Sequence, residues 1–360
     1  MRARITAVAA GAALLLPLGA YPQVVQLKIA NYFPPPSQQA KTTAAFGEDL
    51  EKRSGGRIKA QHFAGGSLLT GPNMYKGIES GIADIGYSHV YYTPGRMPAS
   101  ESIGLPIGIP TGWVGGHVGN DFYERFKPKE FDGVKLLSLH ANGPSLVISK
   151  RPVAKLEDLK GLTIRAPGVT GDIARALGAT PTPTPMMEVY DSISKGVNDA
   201  VLSPYETLRT FRFAEVAKHV TVNWQTGGSF PFYMVMNKRA YEGLAPDLRG
   251  VVDALTAEYQ ERFARMWNDI DVEGRAFAKE KDVVYIELSA QEAARWQKAV
   301  EPVISGYVKS MQSKGFPETE TKGWIDYLRS RSAYWTAQQV SRKIAAATGP
   351  MELRPEALKQ

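Results

Sequence analysis

Strand-like and helix-like patterns alternate along two separate stretches of this chain of 360 residues, and this alternation restricts the folds available to it. Residues 25–87 follow the order strand, helix, strand, helix, strand. Residues 162–203 give a short strand, a helix, a proline-rich connection, a second helix and a second strand. Strands separated by helices run parallel in one sheet. The pattern therefore predicts an α/β fold, with two domains because the chain exceeds what one core usually organises.

Two interruptions indicate where the chain passes between the domains. Asn142-Gly143-Pro144 separates two strand patterns, and a second crossing is expected within residues 221–230. A chain that leaves one α/β domain, builds another and returns describes two lobes that close about a hinge. The predicted division is 24–142 with 225–270 for domain I, 143–224 with 271–345 and its C-terminal helices for domain II, and 346–360 as a loose tail.

A long amphipathic helix is predicted over residues 247–281, because apolar side chains recur there at spacings of three and four. The residues that form this stripe are Leu248, Val251, Val252, Leu255, Tyr259, Phe263 and Trp267.

The first 23 residues have the pattern of a secretory leader. Arg2 and Arg4 precede an apolar run over residues 5–18, and Leu18-Gly19-Ala20 is an acceptable cleavage signal. A membrane anchor is the alternative, but a span needs roughly 20 apolar residues. We therefore expect an exported protein, and the absence of cysteine is compatible with folding in a bacterial periplasm.

The remaining composition argues against several classes of function. The formal charge of +7 comes from basic residues interspersed with acidic ones, which is unlike a nucleic-acid-binding surface. The five histidines lack metal-ligand spacing, and no nucleotide-binding, nucleophile-elbow or glycosidase signature occurs. The sequence thus predicts a protein that is not an enzyme and holds no metal or cofactor.

Arg165 is the strongest candidate for ligand binding. It ends the short strand that begins at Leu162 and stops before Pro167. Ligands bind beyond the carboxyl ends of strands in open α/β sheets, and a guanidinium fork suits a carboxylate. The alternative is a surface arginine in an ion pair with Asp158 or Asp172.

Several motifs around Arg165 occur in the order found in one family of binding proteins. They are KLEDLKGL-x-IR-x-P, then ALGA-x-P-x-P-x-x-x-EVY, then G-x-x-D-x-x-x-x-P. Upstream lie SGGRIKAQHFAGGSL, GIESGIADIG and GLPIGIP, and downstream lies NKRAYEGLAPDLRGVV. Together they resemble the solute-binding protein of a tripartite ATP-independent periplasmic (TRAP) transporter, and the resemblance covers nearly the whole chain after residue 24.

The resemblance implies a fold, a ligand class and a partner. It implies a two-domain clamshell of the periplasmic-binding-protein type, with a long interdomain helix and a ligand cleft between the domains. Arg165 stands at the position where the family's arginine grips a ligand carboxylate. The implied partner is a membrane permease driven by an ion gradient, so the chain needs no nucleotide site.

The sequence departs from its relatives at four positions that the family uses around the ligand. Ser145 stands where the sialic-acid branch has a second arginine, and Ser203 replaces a frequent asparagine. Met186 replaces an aromatic residue, and His89 matches a glutamate of the sialic-acid branch. Small hydroxyls in these places argue against a sugar acid with many hydroxyls and against a second tightly held carboxylate.

The expected lining of the cleft is largely aromatic. Its members, besides Arg165, Ser145 and Ser203, are Phe33, Tyr87, His89, Tyr91, Met186, Tyr205, Trp224 and Phe230. This set favours an apolar or aromatic monocarboxylate such as an aryl, α-keto or α-hydroxy acid, with a serine on a neighbouring oxygen. A C4-type dicarboxylate, a sugar acid, or a role as the ligand-sensing partner of a membrane receptor are the alternatives.

Overall fold

A computed structural model describes residues 24–355, so the predicted leader, residues 1–23, and the last five residues lie outside the described part. No helix within residues 24–355 is both long and apolar enough to cross a membrane. The strands of this part, in chain order, are β1 (Val25–Asn31), β2 (Ile58–Phe63), β3 (Ile85–His89), β4 (Val134–Ala141), β5 (Leu146–Ser149), β6 (Thr163–Arg165), β7 (Thr180–Thr182), β8 (Ala200–Ser203), β9 (His219–Val222), β10 (Pro231–Asn237) and β11 (Val284–Glu287).

The strands form two sheets, which confirms the α/β fold predicted from the alternating pattern. The first has the order β2-β1-β3-β10-β4, and the second the order β11-β9-β5-β8-β6-β7. Strands β1, β2 and β3 are parallel, whereas β10 runs antiparallel to both neighbours. Strand β7 was not predicted, because it lies in the proline-rich connection and contains Pro181. As an edge strand, β7 tolerates a residue without an N–H group.

Eleven α-helices occur within residues 24–355. In chain order they are α1 (Gln38–Arg53), α2 (Met74–Glu79), α3 (Gly112–Phe126), α4 (Val169–Ala176), α5 (Met186–Ser194), α6 (Thr207–Thr210), α7 (Phe213–Val216), α8 (Lys238–Glu242), α9 (Pro246–Glu280), α10 (Ala290–Ser313) and α11 (Glu318–Ser341). Hydroxyl side chains cap the starts of three of them: Ser37 accepts from Ala40 N–H, Thr111 from Val114 N–H and Ser289 from Glu292 N–H.

The predicted long helix is confirmed as α9, which spans 35 residues and therefore about 50 Å. Glycines in α3 let the two helices touch, since a Cβ on Gly116 would lie 2.4 Å from the Ala264 side chain. Farther along α9, a Cβ on Gly274 would lie 2.4 Å from the Tyr205 carbonyl oxygen. Helix α9 thus packs against α3, beside the first sheet, and against the residues that follow β8 of the second sheet.

The chain passes between the sheets three times, from β4 to β5, from β9 to β10, and from β10 through α9 to β11. The first two of these passages lie side by side. Asn142, after β4, accepts a hydrogen bond from Phe230 N–H at 2.9 Å through its side chain. Ser145 N–H donates to the Gly228 carbonyl at 2.7 Å. The crossings at residues 142–145 and 223–230 fall where they were expected, although the assignment of whole segments to domains stays a prediction.

Helix α11 differs from the predicted assignment of the C-terminal helices to the second domain. It packs on α3, beside the first sheet. Arg331 and Trp335 both donate to the Asp121 carboxylate at 2.6 Å, and the Trp335 ring stacks on His117 at 4.0 Å. The sequence of α11 has almost no amphipathic pattern, so it does not indicate which face is buried or on what. Side-chain pairing with α3 decides where the helix lies.

The predicted loose tail is wrong for residues 346–353, which are packed. Ala346, Ala347 and Leu353 are buried. Thr348 donates to the Pro110 carbonyl at 2.7 Å, and Arg275 of α9 donates to the Ala347 carbonyl at 2.8 Å. Small side chains let this segment fit closely between α9 and the residues before α3, so its backbone groups find partners there.

A pair of buried carboxylates joins the two lobes near α9. Glu206, just before α6, accepts from the side chain of Gln39 in α1 at 3.1 Å. Asp271 of α9 accepts from Glu206 N–H at 3.0 Å. Burial raises the pKa of Glu206 to about 8 and the pKa of Asp271 to about 7, and the neighbouring carboxylate Asp271 adds to the shift of Glu206.

These shifts predict that the folded protein loses stability as the pH rises. The native carboxyls keep protons that the unfolded chain, with carboxyl pKa values near 4, has already released. Each retained proton changes the free energy of unfolding by about 1.4 kcal/mol per pH unit. We expect the melting temperature to fall between pH 6.5 and pH 8.5, in a thermal melt followed by circular dichroism.

Glu206→Gln should flatten this pH dependence and raise the melting temperature at pH 8.5, because the amide keeps the hydrogen bond without a charge. Glu273→Gln, at an exposed carboxylate of α9 paired with Arg209, is the matched control and should retain the wild-type slope. An unchanged slope in Glu206→Gln would contradict the assignment of Glu206 as a source of the dependence.

Candidate functional site

At one end of the first sheet, the termini of three neighbouring strands lie side by side. Strands β1 and β3 end there, at Asn31 and His89, and the antiparallel strand β10 begins there, with Phe232 opposite His89. The aromatic residues that follow β1 and β3 therefore lie at the same edge as the returning chain crossing.

The second sheet presents a matching edge. Strand β6 ends at Arg165 and the parallel strand β8 ends at Ser203. Strand β5 is antiparallel to β8, with Leu146 opposite Ser203, so Ser145 just before β5 lies at this edge too. Because the chain crosses between the sheets at these two edges, they face the region between the lobes.

Arg165 is fully buried at the end of β6. Its Nε donates to the Thr184 carbonyl at 2.9 Å, while Nη1 and Nη2 have no hydrogen-bond partner among residues 24–355. Its Cζ lies 5.5 Å from the centre of the Phe230 ring, within range of a cation–π contact. The guanidinium is thus anchored by one nitrogen and leaves its fork available to a planar anion.

The alternative ion pairs proposed for Arg165 do not form in this structure. Asp172 is paired with Arg175, and Asp158 accepts from the backbone N–H groups of Ala154 and Lys155. Burial lowers the pKa of Arg165, while the neighbouring Tyr92 and Tyr32 act in the opposite direction. A buried cation without a carboxylate partner is costly, and an anionic ligand would relieve that cost.

His89 lies at the end of β3 within a shell of aromatic rings and is 1 % exposed. The Tyr92 ring covers one face, with centroids 3.7 Å apart, and Phe230 presents its edge at 5.6 Å. Neither ring nitrogen of His89 has a hydrogen-bond partner within residues 24–355. Burial and then the charge of Arg165 hold the pKa of His89 well below its usual range, so the imidazole is neutral.

Tyr92 and Tyr32 belong to this cluster but were not among the predicted lining residues. The Tyr92 hydroxyl accepts from Met186 N–H at 2.8 Å and so connects the first lobe to the start of α5. Tyr32 stacks on Phe33 at 4.3 Å and presents its edge to Tyr92 at 5.5 Å. The sequence pattern YY after a strand contains the signal for Tyr92, but it cannot tell which tyrosine faces the other lobe.

The two serines of the predicted site are buried with free hydroxyls. Ser145 and Ser203 are fully buried, and neither Oγ has a hydrogen-bond partner among the described residues. Buried hydroxyls are normally paired. Their position at the edge that also carries Arg165 makes them candidate donors to oxygens of a ligand.

The remaining predicted lining residues separate into three groups. Tyr91 and Phe230 lie beside His89, and Met186 is reached through Tyr92. Phe33 and Tyr87 pack inside the first lobe, where the Tyr87 hydroxyl is bonded to Trp267 Nε1 and His140 Nε2, both at 3.0 Å.

Among the described residues, Tyr205 and Trp224 make no ring contact with the cluster around His89. Tyr205 instead lies near Arg275 of α9, at 5.4 Å, and Tyr285 of β11, at 5.7 Å. Trp224 is half-buried against the core. Within residues 24–355, no group of three or more histidine, cysteine or acidic residues is arranged to hold a metal ion.

Comparison with known proteins places this arrangement among binding proteins. The family described as bacterial extracellular solute-binding protein, family 7 (DctP), matches residues 29–310. The C4-dicarboxylate-binding periplasmic protein DctP of Rhodobacter capsulatus is 25% identical over 84% of this chain and 91% of its own length.

Two solved structures show the same fold. A TRAP periplasmic solute-binding protein from Desulfovibrio salexigens is 29% identical, with a TM-score of 0.73 over 85% of this chain and 95% of that one. A TRAP solute-binding protein from Rhodoferax ferrireducens, in complex with copurified benzoate, is 25% identical, with a TM-score of 0.80 over 88% and 99%. The chain therefore belongs to the bacterial extracellular solute-binding protein family 7, the periplasmic solute-binding proteins of TRAP transporters.

Proposed function

We propose that this chain captures an apolar or aromatic monocarboxylate between its two lobes through Arg165 and delivers it to the membrane permease of a TRAP transporter. The observation that carries the proposal is the fully buried guanidinium whose two terminal nitrogens have no partner within residues 24–355. A carboxylate fits that fork with two charge-assisted hydrogen bonds.

The proposal assigns no chemistry to the chain. Binding proteins of this family serve transport, and capture followed by release accounts for the buried cation and the surrounding rings. Export to the periplasm by the predicted leader forms part of the same proposal, since the family's members act there.

The surroundings of Arg165 favour one carboxylate over two. The polar groups around it are the hydroxyls of Tyr92 and Tyr32 and the neutral imidazole of His89. The hydroxyls of Ser145 and Ser203 lie at the ends of neighbouring strands, and none of these groups brings a second positive charge. The remaining contacts come from the rings of Phe230, Tyr91 and Tyr92. The benzoate copurified with the relative from Rhodoferax ferrireducens supports the same class.

A C4-type dicarboxylate is the second candidate, supported by the R. capsulatus relative that binds C4-dicarboxylates. A sugar acid would bind at the same residues. A ligand-sensing partner of a membrane receptor would also bind its ligand there. Which small acids bind will separate the ligand classes, and the membrane partner recovered by crosslinking will separate transport from sensing.

Arg165→Ala should abolish most of the affinity for the bound acid. Truncating one partner of a buried, hydrogen-bonded charge pair costs about 2–5 kcal/mol, so the dissociation constant should rise by about 30-fold or more. The measurement is isothermal titration of the mature protein with benzoate. The matched control is Arg175→Ala, which should bind like wild type because Arg175 is exposed and lies on the following helix, α4.

Arg165→Met should leave the ligand-free protein at least as stable as wild type while it removes binding. The buried cation lacks an anionic partner among residues 24–355, and a methionine of similar length fills its space without a charge. A thermal melt without added acid tests this. A fall of several degrees would show that Arg165 supports the fold rather than the ligand.

A thermal-shift panel should rank ligand classes. A ligand at about 100 times its dissociation constant adds roughly 2.7 kcal/mol to the free energy of unfolding. We expect shifts with benzoate, phenylacetate and mandelate, and none with succinate or glucuronate at equal concentration. Larger shifts with succinate or glucuronate would keep the binding role and overturn the proposed ligand class.

A further inference from the structure

His89 is a buried polar side chain that takes no part in the proposed binding of the carboxylate by Arg165. It is 1 % exposed, and both Nδ1 and Nε2 lack a hydrogen-bond partner among residues 24–355. By comparison, the equally buried His140 is fully engaged, with Tyr87 on Nε2 at 3.0 Å and Ser138 on Nδ1 at 2.9 Å. Of these two fully buried histidines, the fold gives His140 partners on both nitrogens and His89 partners on neither.

His89 and Arg165 both lie close to the ring of Phe230. The Phe230 centroid is 5.5 Å from Arg165 Cζ and 5.6 Å from the centre of the His89 ring, so the two polar groups are at most about 11 Å apart. The charge of Arg165 also lowers the pKa of His89, as expected for near neighbours. A single small acid held by Arg165 is therefore within reach of the imidazole.

The chemistry of a neutral imidazole selects the substituent that it can bind. It offers one N–H donor and one bare nitrogen acceptor, and a hydroxyl likewise both donates and accepts. A second carboxylate only accepts hydrogen bonds. Its negative charge would find no cation other than Arg165 among the residues named around His89. Because no group among residues 24–355 bonds either nitrogen, the tautomer of His89 is free to follow the orientation of the hydroxyl.

The ring of His89 is held in a fixed orientation when the lobes are together. Tyr92 covers its face at 3.7 Å, and the Tyr92 hydroxyl is bonded across the lobes to Met186 N–H at 2.8 Å. The edge of Tyr32 lies 6.1 Å from the imidazole. The edge of the imidazole, which carries its two nitrogens, is thus set among aromatic rings, and neither nitrogen has a hydrogen-bond partner among residues 24–355.

We propose that His89 binds a hydroxyl of the ligand, so that the preferred solute is a hydroxyl-bearing aryl monocarboxylate rather than the bare aryl acid. This inference rests on the proposed function, since it takes the carboxylate of the same ligand to be held by Arg165. Within it, Arg165 supplies affinity for the acid group, and His89 determines which member of the class binds best.

The test compares acids that differ only by a hydroxyl or a methyl group of similar size. Isothermal titration of the mature protein would use 3-hydroxybenzoate against 3-methylbenzoate, 4-hydroxybenzoate against 4-methylbenzoate, and mandelate against 2-phenylpropionate. A polar site rejects an analogue that leaves its hydrogen-bonding groups unpaired. We expect at least one hydroxyl-bearing acid to bind about 10-fold or more tightly than its methyl partner.

His89→Phe keeps an aromatic ring under Tyr92 and removes both nitrogens, so it should bring that ratio to about one or invert it. Tyr92→Phe keeps the stacked ring and loses the bond to Met186, so it should weaken both acids of a pair together and preserve the ratio. A ratio near one in the wild type, or a ratio that His89→Phe leaves unchanged, would overturn the assignment.

The outcomes also separate this inference from the proposed function. Binding of benzoate that depends on Arg165, without any preference for a hydroxyl, would overturn the role of His89 and leave the proposed function intact. If no aryl acid binds but succinate or glucuronate does, the proposed ligand class and the inference about His89 both fail.

Discussion

The site depends on a positive charge that the protein buries without pairing it. Arg165 ends a strand of the second sheet, is anchored through Nε to the Thr184 carbonyl, and keeps its other nitrogens free of partners within the described residues. Desolvating a guanidinium is expensive, so the surrounding structure must hold it there. In the proposed function that expense would become affinity, because a carboxylate entering the site would replace the solvation that the fold has removed.

The two lobes contribute different parts of this site. The second sheet supplies Arg165, Ser145 and Ser203 at its carboxyl edge, whereas the first sheet and the returning crossing supply His89, Tyr92 and Phe230. The hydrogen bond from Met186 N–H to the Tyr92 hydroxyl and the contact between Gln39 and Glu206 join the lobes. A ligand that touches both lobes stabilises their closed arrangement only by its greater affinity for that arrangement.

The hinge has a simple physical construction. The crossings near residues 142 and 230 are hydrogen-bonded to each other through Asn142, Ser145 and their partners. Helix α9 contacts α3, beside the first sheet, and Tyr205, which follows β8 of the second sheet. Small residues bring the backbones close, since Gly116 and Gly274 leave no room for a side chain at their contacts with Ala264 and Tyr205. These contacts restrict the lobes to a limited set of relative positions, which is what a clamshell requires.

Local sequence patterns predicted the α/β alternation, the crossings near residues 142 and 230, the long helix and the position of Arg165 at a strand end. Each of these follows from local patterns: strand and helix periodicity, glycine and proline breaks, and the restriction that a proline places on the residue before it. Local patterns do not record which helix another helix packs on. The placement of α11 on α3 and the packing of residues 346–353 therefore came only from the tertiary structure.

The same distinction applies within the site. Spacing could name His89, Tyr91 and Phe230 as residues near strand ends, but it could not show that Tyr87 is engaged in the core or that Tyr92 reaches across to Met186. Those facts depend on which side chains come into contact once the chain has folded into its two lobes. Residue types and strand ends are encoded locally, whereas the pairing of buried polar atoms is decided by contacts between residues far apart in the chain.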